Sequence, residues 1–175
     1  MFLPRTTATD TNFTSGQVLS CLVAGSIGLV NYELYMGAAL AEAKAAIASG
    51  EKPDGAVAVL DEAMIARGHG KVESTGDPTA HAVMVVLREA ARRLGRTNLS
   101  GMIIFAANEP CGMCVGALLE SDVDGLVFAL ADPERGAAGS APSHTTEALR
   151  RRVRVVSGIM QAEAAEIGSP LGVGR

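Results

Sequence analysis

His81, Cys111 and Cys114 are the side chains of this 175-residue chain whose types and spacing most directly suggest chemistry. Cys111-Gly112-Met113-Cys114 sets two thiols three residues apart, so on a helix they share one face and can grip one ion. His81 stands in a second cluster, Thr79-Ala80-His81-Ala82. Each cluster follows a loop and opens a predicted helix, where partial positive charge and unpaired N–H groups favour thiolate. Two thiolates and one imidazole fill three corners of a zinc tetrahedron and leave the fourth open, as in catalytic zinc sites. Water at such a position ionises far more readily than in bulk. A C-x-x-C pair alone also suits thiol–disulfide chemistry, but that chemistry requires no distant histidine. The expectation is one zinc per chain.

The elements that must position these residues follow from hydrophobic periodicity and turn residues. Residues 32–49 read as an Ala-rich amphipathic helix closed by Gly50, and Lys52-Pro53-Asp54-Gly55 breaks it. Residues 56–60 and 63–66 read as a hairpin around Asp61-Glu62, followed by a polar loop over 68–78. Thr79 is the expected N-cap of a helix over 80–94, which Gly95 stops. Strands are expected over 101–106, 123–130 and 152–156, and short helices over 111–120 and 159–167. An opening hairpin followed by alternating strands and helices predicts an α/β fold, a three-layer α/β/α sandwich around a mixed five-stranded sheet.

The length suits one domain with a substantial core. Hydrophobic residues make up 48% and charged residues 19%, a globular composition in which aromatics contribute only 3%. A net charge of −4 argues against a broad nucleic-acid or anionic-membrane footprint. The basic run Arg150-Arg151-Arg152-Val153-Arg154 reads as a solvated helix end entering a strand. Residues 11–32 carry no charge, but their apolar run over 18–30 is too short and glycine-rich to span a membrane. An export signal is also disfavoured, because Asp10 and a polar stretch separate Arg5 from that run. Three cysteines, two of them at C-x-x-C spacing, point to a reducing cytoplasm, and Cys21 reads as a small buried apolar residue. The expected organisation is an N-terminal extension over 1–30, a zinc-dependent domain over 31–168 and a tail over 169–175.

Gly55-Ala56-Val57, Ile65-Ala66-Arg67-Gly68-His69, Gly76-Asp77-Pro78-Thr79-Ala80-His81-Ala82, Leu87-Arg88-Glu89-Ala90 and Glu109-Pro110-Cys111-Gly112-Met113-Cys114 together resemble the cytidine deaminase-like superfamily. Within it the chain is similar to the bacterial tRNA adenosine, guanine and cytosine deaminases. Ala131-Asp132-Pro133 and the stretch 152–158 lie nearest the tRNA adenosine deaminase branch. The resemblance implies zinc ligation by His81, Cys111 and Cys114. It also implies hydrolytic deamination of an amino-heterocycle by zinc-activated water, a substrate of nucleobase or nucleoside type, and a dimer.

Two positions depart from that pattern. The family signature H-x-E reads His81-Ala82-Val83 here, so the glutamate that moves protons is replaced by a side chain with no titratable group. Loss of one general acid–base group costs roughly 10²–10⁴-fold. The family's R-G-H-N reads Arg67-Gly68-His69-Gly70, which leaves Gly70 and Ala80 as the expected substrate-facing positions. Glu109 is a weak candidate for a substitute acid–base group, with helix-start electrostatics its better-supported role; Glu73 and Asp77 are further carboxylates before His81. The alternative to an impaired or altered deaminase is an inactive zinc-binding partner subunit of an intact deaminase, making the dimer a heterodimer. The short tail beginning Gly168-Ser169-Pro170 disfavours tRNA as partner, since tRNA-acting relatives carry a longer basic helix there.

Overall fold

The computed structural model describes residues 31–140 and 144–168; the expected N-terminal extension, Cys21 and the tail over 169–175 lie outside them. The first helix, α1 (Tyr32–Ala48), is capped by Asn31, whose side chain accepts from the Leu34 N–H at 3.0 Å. It leads into the antiparallel hairpin β1 (Gly55–Leu60) and β2 (Ala63–His69). Asp61 and Glu62 turn that hairpin with φ of 49° and 62°, the left-handed pair that suits the twist of a two-residue connection. Tyr35 on α1 donates to the Glu62 carbonyl at 2.5 Å and fastens the turn to the helix.

After the short helix α2 (Val72–Thr75), the order is α3 (Ala82–Leu94), β3 (Ile103–Asn108), α4 (Gly112–Glu120), β4 (Gly125–Leu130), α5 (His144–Arg152), β5 (Arg154–Ser157) and α6 (Gln161–Ile167). The sheet runs β2-β1-β3-β4-β5, antiparallel at its first two pairings and parallel at the last two, which is the expected mixed five-stranded sheet.

Strand alternation sorts the core into two layers. Ala56, Ala58, Ile104, Ala106, Leu126 and Phe128 face α3, α4 and α5. Val57, Val59, Phe105, Ala107, Val127 and Ala129 face α1 and α6. Phe105 is fully buried, with Tyr32 and Tyr35 of α1 at ring-centroid distances of 5.9 and 5.3 Å. Gly55 is needed for this packing, because a Cβ there would stand 2.2 Å from the Ala39 carbonyl oxygen and 2.3 Å from the Ala43 nitrogen. Small residues on both sheet faces let helices of a chain poor in aromatics approach closely.

Several boundaries differ from the sequence reading. The loop expected over 68–78 begins only after His69 and holds α2. The helix expected from 80 starts at Ala82, with His81 at the N-cap position and no cap from its own side chain. Thr79 is not the cap: its N–H and its hydroxyl both donate to Asp77 Oδ1, at 2.8 and 2.6 Å. The basic run does end a helix, and α5 carries it to Arg152, so β5 begins two residues later than expected.

Candidate zinc centre and its cavity

Parallel pairing of β3 with β4 brings the loop after β3 to the end of the sheet where α3 and α4 begin. Cys111 is the N-cap of α4, Cys114 lies in its first turn, and His81 is the N-cap of α3, so two helix N-termini converge. His81 Nδ1 lies 3.6 Å from Cys111 Sγ and 3.7 Å from Cys114 Sγ, and the two sulfurs are 3.8 Å apart.

Tetrahedral zinc with Zn–S of about 2.3 Å and Zn–N of about 2.05 Å requires S···S near 3.8 Å and S···N near 3.6 Å. The three donors therefore already stand at the separations the ion imposes, and their two-sulfur, one-nitrogen chemistry suits zinc. Among the described residues they form the one group of potential metal donors whose ligand atoms all lie within 4.8 Å of one another.

The sulfurs are electrostatically unequal. The hydrogen bond between the two sulfurs holds the Cys111 thiol down at about 3 against the opposing effect of burial, and His81 assists. The same bond, with burial and the neighbouring charges of Cys111 and Asp54, pushes the Cys114 thiol up. His81 is shifted up, chiefly by its bond to Cys111, while burial opposes.

The donors open onto a cavity of about 220 Å³ whose walls include Asp54, Gly70, Val83, Asn108 and Arg135. That is below the roughly 300–1,000 Å³ of drug-sized ligand sites and suits a single ring system. Gly70 lines the cavity. Ala80 is not among the lining residues; its carbonyl oxygen accepts from the Lys71 N–H at 2.8 Å and closes the loop behind. Val83 reaches the cavity as a buried aliphatic side chain, 3% exposed.

Glu109 lies in the wall too, but both its oxygens are engaged. Oε1 accepts from the N–H groups of Ala138 and Ser140, each at 2.9 Å. Oε2 accepts from the Asp132 N–H at 3.0 Å and from the Ser140 hydroxyl. Burial alone raises its pKa, yet these donors outweigh burial and hold it below the usual carboxylate range. Gly136 permits the arrangement, since a Cβ there would fall 2.4 Å from Glu109 Cδ. Glu73 does not line the cavity; its N–H, with that of Ser74, donates to the Glu51 carboxylate at 3.0 and 2.7 Å.

Sequence reasoning missed Asp54. It reads there as part of a turn, but its Oδ2 accepts from the Ala82 N–H at 2.8 Å and so caps α3 from the loop before β1. Burial raises the pKa of its carboxyl, although the Ala82 hydrogen bond and His81 oppose the rise. A carboxylate directly after Pro53 and directly before an apolar strand was the available signal.

Residues 30–130 match the cytidine and deoxycytidylate deaminase zinc-binding region. The chain belongs to that family. The chain is 40% identical over 132 residues to a tRNA-specific adenosine deaminase of Bacillus subtilis, covering 75% of this chain and 82% of that one. It is 35% identical to a structure from work on A-to-I editing by tRNA:A34 deaminases, with a TM-score of 0.71 over 77% of this chain and 98% of the other. A guanine deaminase structure from Bacillus subtilis is 31% identical, with a TM-score of 0.57 over 70% and 71% of the two chains. The cytidine deaminase-like fold and its zinc chemistry thus stand on relatives and on the geometry of the three donors alike.

Proposed function

We propose that the chain is a hydrolytic deaminase that replaces the exocyclic amine of a purine by oxygen, with His81, Cys111 and Cys114 holding one zinc. The observation that carries this reading is the donor triad, spaced for tetrahedral zinc at the wall of a cavity sized for one ring system. Zinc bound there supplies Lewis-acid activation of water. The chain itself supplies the cavity, where aliphatic Val72 and Val83 stand beside polar and charged groups such as Asp54 and Asn108. Asn108 donates through Nδ2 to the Pro53 carbonyl at 2.7 Å and fixes the wall beside Asp54.

The names of the relatives support a purine, either free or within tRNA. Lys52 and Arg135 line the cavity, are exposed, and form no ion pair among the described residues. Two unpaired cations at the mouth support a base that arrives with phosphate attached. Glu109 acts as the clamp of the loop over 132–140 in this reading and not as a proton carrier. A cytoplasmic location keeps the thiols reduced, and a dimer of two copies is part of the proposal; no helix among the described residues is long and apolar enough to cross a membrane.

Zinc-loaded full-length chain is to be assayed for ammonia release from guanine, adenosine, cytosine and an anticodon stem-loop carrying adenosine at position 34. Release from guanine or from either adenosine substrate is expected. A chain with one zinc that releases no ammonia from any of the four contradicts the reading. Val83 favours a second reading, an inactive zinc-binding partner of an intact deaminase. Turnover by a Val83→Glu variant where the wild type has none carries that second reading.

A further inference from the structure

We propose that Asp54 is the acid–base residue of this deaminase, doing from the loop before β1 what the glutamate of H-x-E does from α3 in its relatives. The inference rests on the deaminase reading above and concerns which group moves the protons. Asp54, Val83, Gly70 and the three donors line the same cavity, and the sequence departs from the family pattern at both Val83 and Gly70. An ideal Cβ on Gly70 would lie 3.5 Å from Asp54 Oδ2 and 3.6 Å from Asp54 Cβ. Gly70 thus lies in van der Waals reach of the Asp54 carboxylate in the same wall. A carboxylate at 54 and an aliphatic side chain at 83 in one cavity wall are the pattern of a relocated acid–base group.

The carboxylate is held and yet available. Oδ2 is fixed by the Ala82 N–H at 2.8 Å, whereas Oδ1 has no hydrogen-bond partner among the described residues. Asp54 also stays outside the donor group, since its oxygens do not lie within 4.8 Å of all of His81 Nδ1 and the two sulfurs. It thus shares the cavity with the three donors without belonging to their group. The other carboxylate of the wall nearest the donors in sequence, Glu109, has both oxygens committed to the loop over 132–140.

The step balances through Asp54 alone. A water oxygen forms the C–O bond at the amine-bearing carbon, and Asp54 takes one water proton and delivers it to the adjacent ring nitrogen. Asp54 then takes the remaining proton from the new hydroxyl and delivers it to the amine as the C–N bond breaks. The products are the ring carbonyl, a ring N–H and ammonia, and the carboxylate is regenerated.

Asp54→Asn separates this role from capping, because the amide oxygen still accepts from the Ala82 N–H but cannot carry a proton. Zinc per chain, thermal midpoint, KM and kcat are measured on the wild type and the variant with whichever of the four substrates releases ammonia. Expected are unchanged zinc content, a midpoint within a few degrees, KM within about threefold, and kcat lower by roughly 10²–10⁴-fold. Undiminished kcat in zinc-loaded Asp54→Asn overturns the inference and leaves the deaminase reading intact. A wild type inert towards all four substrates overturns both. If Asp54→Asn loses zinc, Asp54→Glu decides: kcat within about tenfold of wild type supports a carboxylate in the role, and kcat at background overturns it.

Discussion

Replacing Glu109 by glutamine tests whether this carboxylate is a clamp or a catalyst. Four donors converge on it in the wild type, three backbone N–H groups and one hydroxyl. In the variant the amide oxygen can keep Ala138 and Ser140, but the NH2 group then faces the Asp132 N–H, and the hydroxyl must turn to accept. One part-buried N–H, that of Asp132, is left unpaired, at about 1–3 kcal/mol, and the remaining bonds lose their charge assistance. The expected loss of unfolding free energy is about 2–4 kcal/mol at neutral pH. The folded pKa of Glu109 is depressed, so its contribution is present above the unfolded value and is lost as pH falls through the folded one. The gap between variant and wild type should therefore narrow below about pH 4. Urea unfolding in zinc-saturated buffer at a series of pH values measures it. A Glu109→Gln chain as stable as wild type at neutral pH, but with kcat reduced by orders of magnitude, would refute the clamp and restore Glu109 as a proton carrier.

Gly55→Ala should abolish soluble expression or lower the thermal midpoint severely, because the new methyl lands within 2.3 Å of α1 backbone that cannot yield without lifting the helix from the sheet; expression and thermal melts check this. Glu42→Gln should cost about 1 kcal/mol at neutral pH. Glu42 accepts from Arg67 Nε at 2.6 Å and lies 3.0 Å from His69 Nδ1. Burial alone raises the Glu42 pKa, and these two partners more than reverse it, so the cost should shrink as pH falls through the depressed value. Denaturant midpoints at neutral and acidic pH give the comparison.

The fold was legible in the sequence where periodicity and turn residues agree. The helix over 32–49, the hairpin about Asp61-Glu62 and the apolar strands β3 and β4 are of this kind, and so is the glycine stop at Gly95. The metal donors were legible because their spacing carries the geometry: Cys111 and Cys114 are one helical turn apart, and loop-then-helix patterns place His81 at a second helix start. The start of α3 was not, because its cap comes from Asp54, far away in the chain, while Thr79 is consumed locally by Asp77. Asp54 itself was hidden for the same reason. Next to Pro53 and Gly55 an aspartate reads as a turn residue, and only the pairing of β1 with β3 carries it to the cavity. The final β-strand shifted because α5 runs to Arg152 and basic residues there serve a helix end.

The zinc content of purified wild-type chain and of Cys114→Ser, measured by mass spectrometry of the metal, tests the central claim most directly. Cys114 is buried, 3.8 Å from Cys111 and 3.7 Å from His81. One zinc per wild-type chain and almost none in the variant is the predicted result. A wild type without stoichiometric zinc, or a variant that keeps it in full, contradicts a centre built from His81, Cys111 and Cys114.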